Sequence, residues 1–344
     1  MSLSGDPLPA SCPHHHVHVA DPATGRSLAC TVRVYAAVVG LWFVVTTPYA
    51  WSAGAEFLSL CGVGLDERWT GANFVSALSI LCSTAVVVWL HLLWRREPAT
   101  TPLGVLPSVL ISTAALGLYL APWLGLLPGG NTVTGIAGQL AQLGLLVWLV
   151  LSLCAHYGLS PQKWGLWTRP TREQWSPRGA EAMVNALFAC VLAAPLYVLL
   201  AQLPGPVQQV DQTTAENSGG LAMFLTQMLW SSVVEEVVTT GAVAALLSIV
   251  RRPVWEIALV IGVMRAIPHL YFGLPALAML ALGAACTVLY LRHRLVWPLA
   301  GGHATYNLLT FLPTVPRVVA AGLVIYVLGR REDSTSPDPA DRLP

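Results

Sequence analysis

Apolar residues along this chain gather into long runs separated by short polar stretches. Ten such runs follow a polar start, over approximately 31–52, 72–93, 102–121, 132–155, 181–203, 220–249, 254–272, 274–291, 296–313 and 317–329. A helix needs about 20 apolar residues to cross the hydrocarbon core of a bilayer. Backbone groups in that core must be satisfied internally, so these runs predict membrane helices. The seventh and eighth are parted by little beyond Gly273 and Pro275, and the last is short for a span. The expected fold is therefore all-α, a polytopic transmembrane helical bundle of about ten spans, with eight to ten as the range.

The charges between the runs give an orientation. Arg95 and Arg96 follow the second run, and Lys163, Arg169, Arg172 and Arg178 lie in the long loop after the fourth. Arg251 and Arg252 follow the sixth, Arg292 and Arg294 the eighth, and Arg330 and Arg331 the tenth. The alternate loops are poor in Lys and Arg: 53–71 has only Arg68, and 204–219 has none. By the positive-inside rule this alternation supports ten spans with both termini in the cytoplasm. The first thirty residues lack a basic-then-apolar start, so no cleavable signal peptide is expected.

Composition agrees. Hydrophobic residues make up 55% of 344 and charged residues only 10%, against roughly 25% in soluble proteins. Net charge is +1, which argues against a nucleic-acid partner, because nucleic-acid-binding domains carry a basic excess. The seven cysteines show no paired spacing, so neither a zinc ribbon nor a disulfide framework is indicated. The tail at 1–29 holds CPHHHVH at 12–18. Such tracts can bind metal, but a tail with no scaffold does not fix ligand geometry.

Segment 157–167, YGLSPQKWGLW, mixes Trp, Lys and Leu beside a run and reads as interfacial. It also divides the chain. The organisation expected is a polar tail at 1–29, an accessory transmembrane bundle at 30–156, an interfacial basic loop at 157–180, a working transmembrane domain at 181–331 and a polar tail at 332–344. The reason for the asymmetry is that the intramembrane ionisable residues all lie in the second half.

Three polar faces stand out there. Glu235 and Glu236 are adjacent within the sixth run. A charge at the centre of a membrane helix costs roughly 2.5–3.5 kcal/mol on insertion scales, and such residues usually mark function. On an α-helix the two would point about 100° apart, with Glu235 sharing a face with Thr239 and Glu236 with Thr240. One can then face a cavity as a general base while the other meets a supporting group. Arg265 and His269 are four apart on the seventh run, with Pro268 able to bend the helix between them. Arg265 could neutralise a glutamate, and His269 could act as a base or a metal ligand. His303 and Asn307, again four apart, lie on the ninth run among Ala300, Gly301, Gly302 and Ala304, which permit close helix approach. Asn307 could orient the histidine or donate to an oxyanion. Each face has a plainer reading taken singly: a structural ion pair, an interfacial histidine, an interhelical hydrogen bond. Three together on consecutive polar-bearing runs point to a site. Glu256 reads as a snorkelling surface charge, and His91, His156 and His293 as interfacial.

In this order the three elements resemble the CPBP family of intramembrane proteases, also called the CAAX-protease and bacteriocin-processing (Abi) family. Its pattern is E-E-x-x-x-R, then F-x-x-x-H, then H-x-x-x-N or D, and the resemblance covers roughly 160–330. Glu235 and Glu236, His269, and His303 with Asn307 match. Thr240 stands at the arginine of the first motif and Arg265 at the phenylalanine of the second. Glu235-Glu236 with Gly241, and Arg265 with His269-Leu-Tyr-Phe-Gly273, are similar to an actinobacterial-type form. Arg265 is then expected to replace the missing arginine from another helix.

The resemblance implies an intramembrane endopeptidase, a metalloprotease by family name, acting on a peptide or protein segment at a plasma membrane, bacterial in source. Glu235 would activate water with help from His269, His303 and Asn307 would polarise the carbonyl and hold the oxyanion, and Glu236 with Arg265 would support them. Glu235, His269 and His303 could bind zinc as an open three-ligand site, and the same groups could act without metal. Two other classes remain: a catalytically silent scaffold or bacteriocin-immunity protein, and a proton-coupled transporter using the same Glu and His as a relay.

Overall fold

The computed structural model describes residues 20–21, 26–96, 104–122, 126, 132–166, 177–206, 221–309 and 322. Residues 1–19 and 22–25 of the His-containing tail, the tenth run (except residue 322) and the C-terminal tail lie outside the described residues. Ala20–Asp21 (β1) and Arg26–Ser27 (β2) form a short antiparallel pair, Ala20 opposite Ser27. The rest of the regular structure is helical: α1 Leu28–Leu60, α2 Glu67–Thr70, α3 Ala72–Arg96, α4 Val105–Leu120, α5 Thr132–His156, α6 Pro177–Ala201, α7 Leu221–Val233, α8 Val243–Ile249, α9 Val254–Ala266, α10 Ala276–His293 and α11 Trp297–Leu309. A π-helical segment, Val234–Ala242, joins α7 to α8, and a 3-10 segment, Ile267–Phe272, extends α9.

The chain is an all-α polytopic bundle. Among the described residues seven helical stretches are long and apolar enough to cross a membrane. The third run corresponds to α4, 16 residues and shorter than a full span, and the ninth is described over 13 residues as α11.

The stretch Leu221–Ile249 runs through the middle. Of its most apolar window 89% is buried inside the protein, against 22–44% for the other six spans. Its neighbours therefore show one face to lipid and one to this helix. The core around it is aliphatic: Leu41, Leu90, Leu149, Leu246 and Leu247 are fully buried.

Glycines set the close approaches. A Cβ on Gly283 of α10 would lie 2.9 Å from Gly262 Cα of α9 and 3.0 Å from Arg265 Cδ. A Cβ on Gly302 of α11 would lie 2.6 Å from the Met183 carbonyl oxygen of α6. Small residues let helix backbones touch in this way, and here they bring Arg265 and His303 inward. Gly283→Val should force α9 and α10 apart and displace Arg265, at about 1–3 kcal/mol of overpacking. A lower melting temperature of the protein in detergent would register it.

Segment 157–166 packs part of its length into the protein, with Trp164 fully buried and Leu159 and Leu166 nearly so, while Gln162 and Lys163 stay exposed. The Trp164 carbonyl accepts from Tyr290 Oη (2.9 Å) and the Gly165 carbonyl from the Val296 amide (3.1 Å). Gly165 has φ +78°, and a Cβ there would sit 1.8 Å from the Arg294 carbonyl oxygen, so only glycine fits that turn. Glu256 is not a snorkelling charge. Arg252 clamps it through two nitrogens (Nη2–Oε2 2.6 Å), and Tyr35 of α1 donates to it. Cys30 is disulfide-bonded, which the cysteine spacing did not indicate. Of the histidines read as interfacial, His293 is 3% exposed, with Glu181 3.9 Å away, and His91 meets Ser112 Oγ at 3.2 Å.

Candidate active site

The run Val233-Val234-Glu235-Glu236-Val237-Val238-Thr239-Thr240 is rich in β-branched residues, which pack poorly into an α-helix. It winds instead as a π-helix, a rare form found chiefly as short bulges at functional sites. Thr240 Oγ1 accordingly donates to the carbonyl of Glu235, five residues back, at 2.9 Å. The expected pairing of Glu236 with Thr240 on an α-helical face is thus replaced by one of Thr240 with Glu235. With more residues per turn, neighbouring side chains diverge less than on an α-helix, and both carboxylates reach one cation.

That cation is Arg265. Its Nη2 donates to Glu235 Oε2 at 2.7 Å and to Glu236 Oε1 at 2.6 Å, and its Nε donates to Glu235 Oε2 at 3.0 Å. The side chains of Arg265 and Glu236 are 1% and 0% exposed, and that of Glu235 is 20% exposed. Charges so buried persist only when paired. Two carboxylates against one guanidinium leave one unit of negative charge inside the bundle.

His303 completes the cluster. Its Nδ1 lies 2.9 Å from Glu236 Oε1 and 3.2 Å from Arg265 Nη2. A carboxylate only accepts and a guanidinium only donates. The shorter contact therefore assigns the proton on Nδ1, donated to Glu236.

His269 stands on the 3-10 segment. Its Nδ1 donates to the Arg265 carbonyl at 2.7 Å, so Nε2 is the nitrogen left to exchange a proton with a ligand. Phe272 stacks on the ring at 5.9 Å. Asn307 is placed differently: its Nδ2 donates to Ser232 Oγ at 3.1 Å and Ser231 Oγ at 3.4 Å.

A cavity of about 440 Å³ opens on this cluster, within the range of ligand pockets. Glu235, Arg265 and His269 line it; Glu236, His303 and Asn307 are not among the lining residues. The lining also includes Val45, Thr46 and Tyr49 of α1 and Gln139 of α5, positions the sequence did not single out. Among the described residues no three His, Cys, Asp or Glu side chains group at metal-binding distances. Glu235, His269 and His303, the zinc ligands considered from sequence, do not converge, and Arg265 fills the cationic position between the carboxylates.

Residues 217–309 match the family model described as type II CAAX prenyl endopeptidase Rce1-like. Over this segment the chain is similar to the CAAX-protease family. It covers about a quarter of the chain and includes all six site residues, from Glu235 to Asn307. No curated protein and no solved structure matches the chain. The family is one of membrane peptidases, in keeping with the apolar helices around the site. Of the cavity-lining residues, Glu235, Arg265 and His269 come from the CAAX-protease segment, while α1 and α5 lie outside it.

Proposed function

We propose that the protein is an intramembrane endopeptidase with Glu235 as general base. The observation that supports this most is the double placement of Glu235: Arg265 anchors one of its oxygens while the side chain also borders the cavity. Among the described residues lining the cavity it is the one carboxylate.

In this reading a peptide segment enters the cavity beside a water. Glu235 takes a proton from the water as its oxygen bonds to the scissile carbonyl carbon. The tetrahedral oxyanion is held by N–H donors, for which the candidates are His303, through Nε2 of a ring protonated on both nitrogens, and Asn307, each after a shift toward the cavity, Asn307 away from Ser231 and Ser232. Collapse breaks the carbon–nitrogen bond, and the proton passes to the leaving amine from Glu235, or through Nε2 of His269. The products are a carboxylate and an amine. Arg265 and Glu236 hold Glu235 in place, with Arg265 filling from α9 the role of the arginine absent at Thr240, as in the actinobacterial-type form. No metal is needed for these steps, so turnover should be unchanged by 1,10-phenanthroline, measured on the purified protein.

The substrate class is a peptide or protein segment reached from a bacterial plasma membrane, with both termini of the enzyme cytoplasmic. A test compares peptide termini in host-cell membranes carrying wild type or Glu235→Gln at matched levels. Termini that vanish with the variant support proteolysis. The bonding of Asn307 to the serine pair favours a second reading, a catalytically silent scaffold or immunity protein, for which Glu235→Gln leaves both termini and phenotype unchanged.

A further inference from the structure

Beside Glu235, Arg265 and His269 the cavity lining includes residues with polar groups that the protein leaves unsatisfied. Gln139 of α5 borders the cavity, and its amide oxygen is buried with no hydrogen-bond partner among the described residues. Trp230 borders it too, and its Nε1 is likewise buried and unpartnered there. Gln227 adds a second side-chain amide to the lining. Buried polar groups are almost always paired, so an orphan on a residue that lines a cavity points to a partner from outside the protein.

α5 is firmly held, so Gln139 is well placed for this purpose. Trp94 Nε1 of α3 donates to Ser152 Oγ of α5 at 3.1 Å, and Gln142 Nε2 donates to Ser83 Oγ of α3 at 3.3 Å. Gly135, one turn from Gln139, sits against Met223 of α7, where a Cβ would lie 3.1 Å from the Met223 methyl. The Trp230 ring is fixed in turn by Tyr49 of α1, with ring centroids 5.2 Å apart. The wall is thus a rigid surface built jointly by the N-terminal helices and α7.

We propose that Gln139 is a substrate-positioning residue, whose side-chain amide hydrogen-bonds the main chain of the bound peptide and turns the scissile carbonyl toward Glu235. A primary amide both donates and accepts, so it can pair with an extended peptide, which offers an N–H and a C=O at every residue. Recognition of main chain gives affinity without demanding particular side chains. The remaining lining, including Val45, Met228, Val234 and Met264, then takes apolar side chains. The substrate class is an extended peptide with apolar residues flanking the cleaved bond. This inference rests on the endopeptidase reading. It gives α5, outside the CAAX-protease segment, a direct part in choosing the substrate.

The test uses purified protein in proteoliposomes and an internally quenched peptide that the wild type cleaves. Gln139→Leu keeps the size of the side chain and removes its polar atoms. The expected result is a KM raised about tenfold, the loss of one hydrogen bond made by bound substrate, with kcat within about twofold. Since leucine removes an orphaned polar group, the melting temperature should be unchanged or higher. Gln139→Asn, which keeps the amide, should recover part of the affinity. An unchanged KM for Gln139→Leu overturns the inference, as does a rise in KM accompanied by a lower melting temperature that Gln139→Asn does not relieve. Cleavage that survives Glu235→Gln overturns the endopeptidase reading itself, and the inference with it.

Discussion

Arg265→Met should destabilise the protein by about 3–5 kcal/mol, the cost of removing one partner from a buried ion pair. The reason is arithmetic as much as geometry. Arg265 Nη2 is within 2.7 Å of both carboxylates, and without it two negative charges are left among apolar helices. A lysine cannot replace it fully, because an ammonium is a point charge whereas the guanidinium serves both carboxylates through a planar fork. Arg265→Lys should therefore fall between wild type and Arg265→Met. The prediction has an internal control. Adding Glu235→Gln and Glu236→Gln to Arg265→Met removes the uncompensated charges and should recover most of the lost stability, a coupling readable by thermal unfolding in detergent. An Arg265→Met protein that melts like wild type would show that the cluster does not hold the bundle together.

Glu235→Gln is expected to have the opposite profile, with activity lost and fold kept. Glutamine can still accept a hydrogen bond from Arg265, and Glu236 still balances that guanidinium, so the melting temperature should change little. What disappears is the lone pair able to take a proton from water. General-base catalysis typically contributes 10²–10⁴-fold, and a loss of about 10³-fold is expected. Glu236→Gln should differ: Glu236 does not border the cavity, and its substitution acts through His303 and Arg265, so a smaller loss of rate should come with a measurable loss of stability.

The bundle could be read from the sequence because lipid imposes a simple rule, that spans must be apolar for about 20 residues, and seven described helices obey it. The cluster was legible for a related reason, since Glu235, Glu236, Arg265 and His303 are costly in such surroundings and so conspicuous. What escaped the sequence depends on tertiary packing. The burial of Trp164 left no mark in the sequence: the room at Gly241, where a Cβ would meet Val296 at 2.9 Å and Trp164 at 3.4 Å, admits the indole beside the π-helix. The π-helix itself left a faint signal, the β-branched run around the glutamates, but that run is equally at home in any apolar span. The cavity wall left none: Tyr49, Gln139 and Glu235 are far apart in the chain, and an isolated glutamine in a membrane helix carries no signature of what it faces. Asn307 shows the same limit. Its spacing from His303 fixed the face it occupies but not its bonding to Ser231 and Ser232.

The most direct test is the cleavage rate of one internally quenched peptide by the purified protein in proteoliposomes, wild type against Glu235→Gln, with equal folding verified by thermal unfolding. Hydrolysis through Glu235 predicts a fall of about 10³-fold with an unchanged melting temperature. A rate within a few fold of wild type would contradict it.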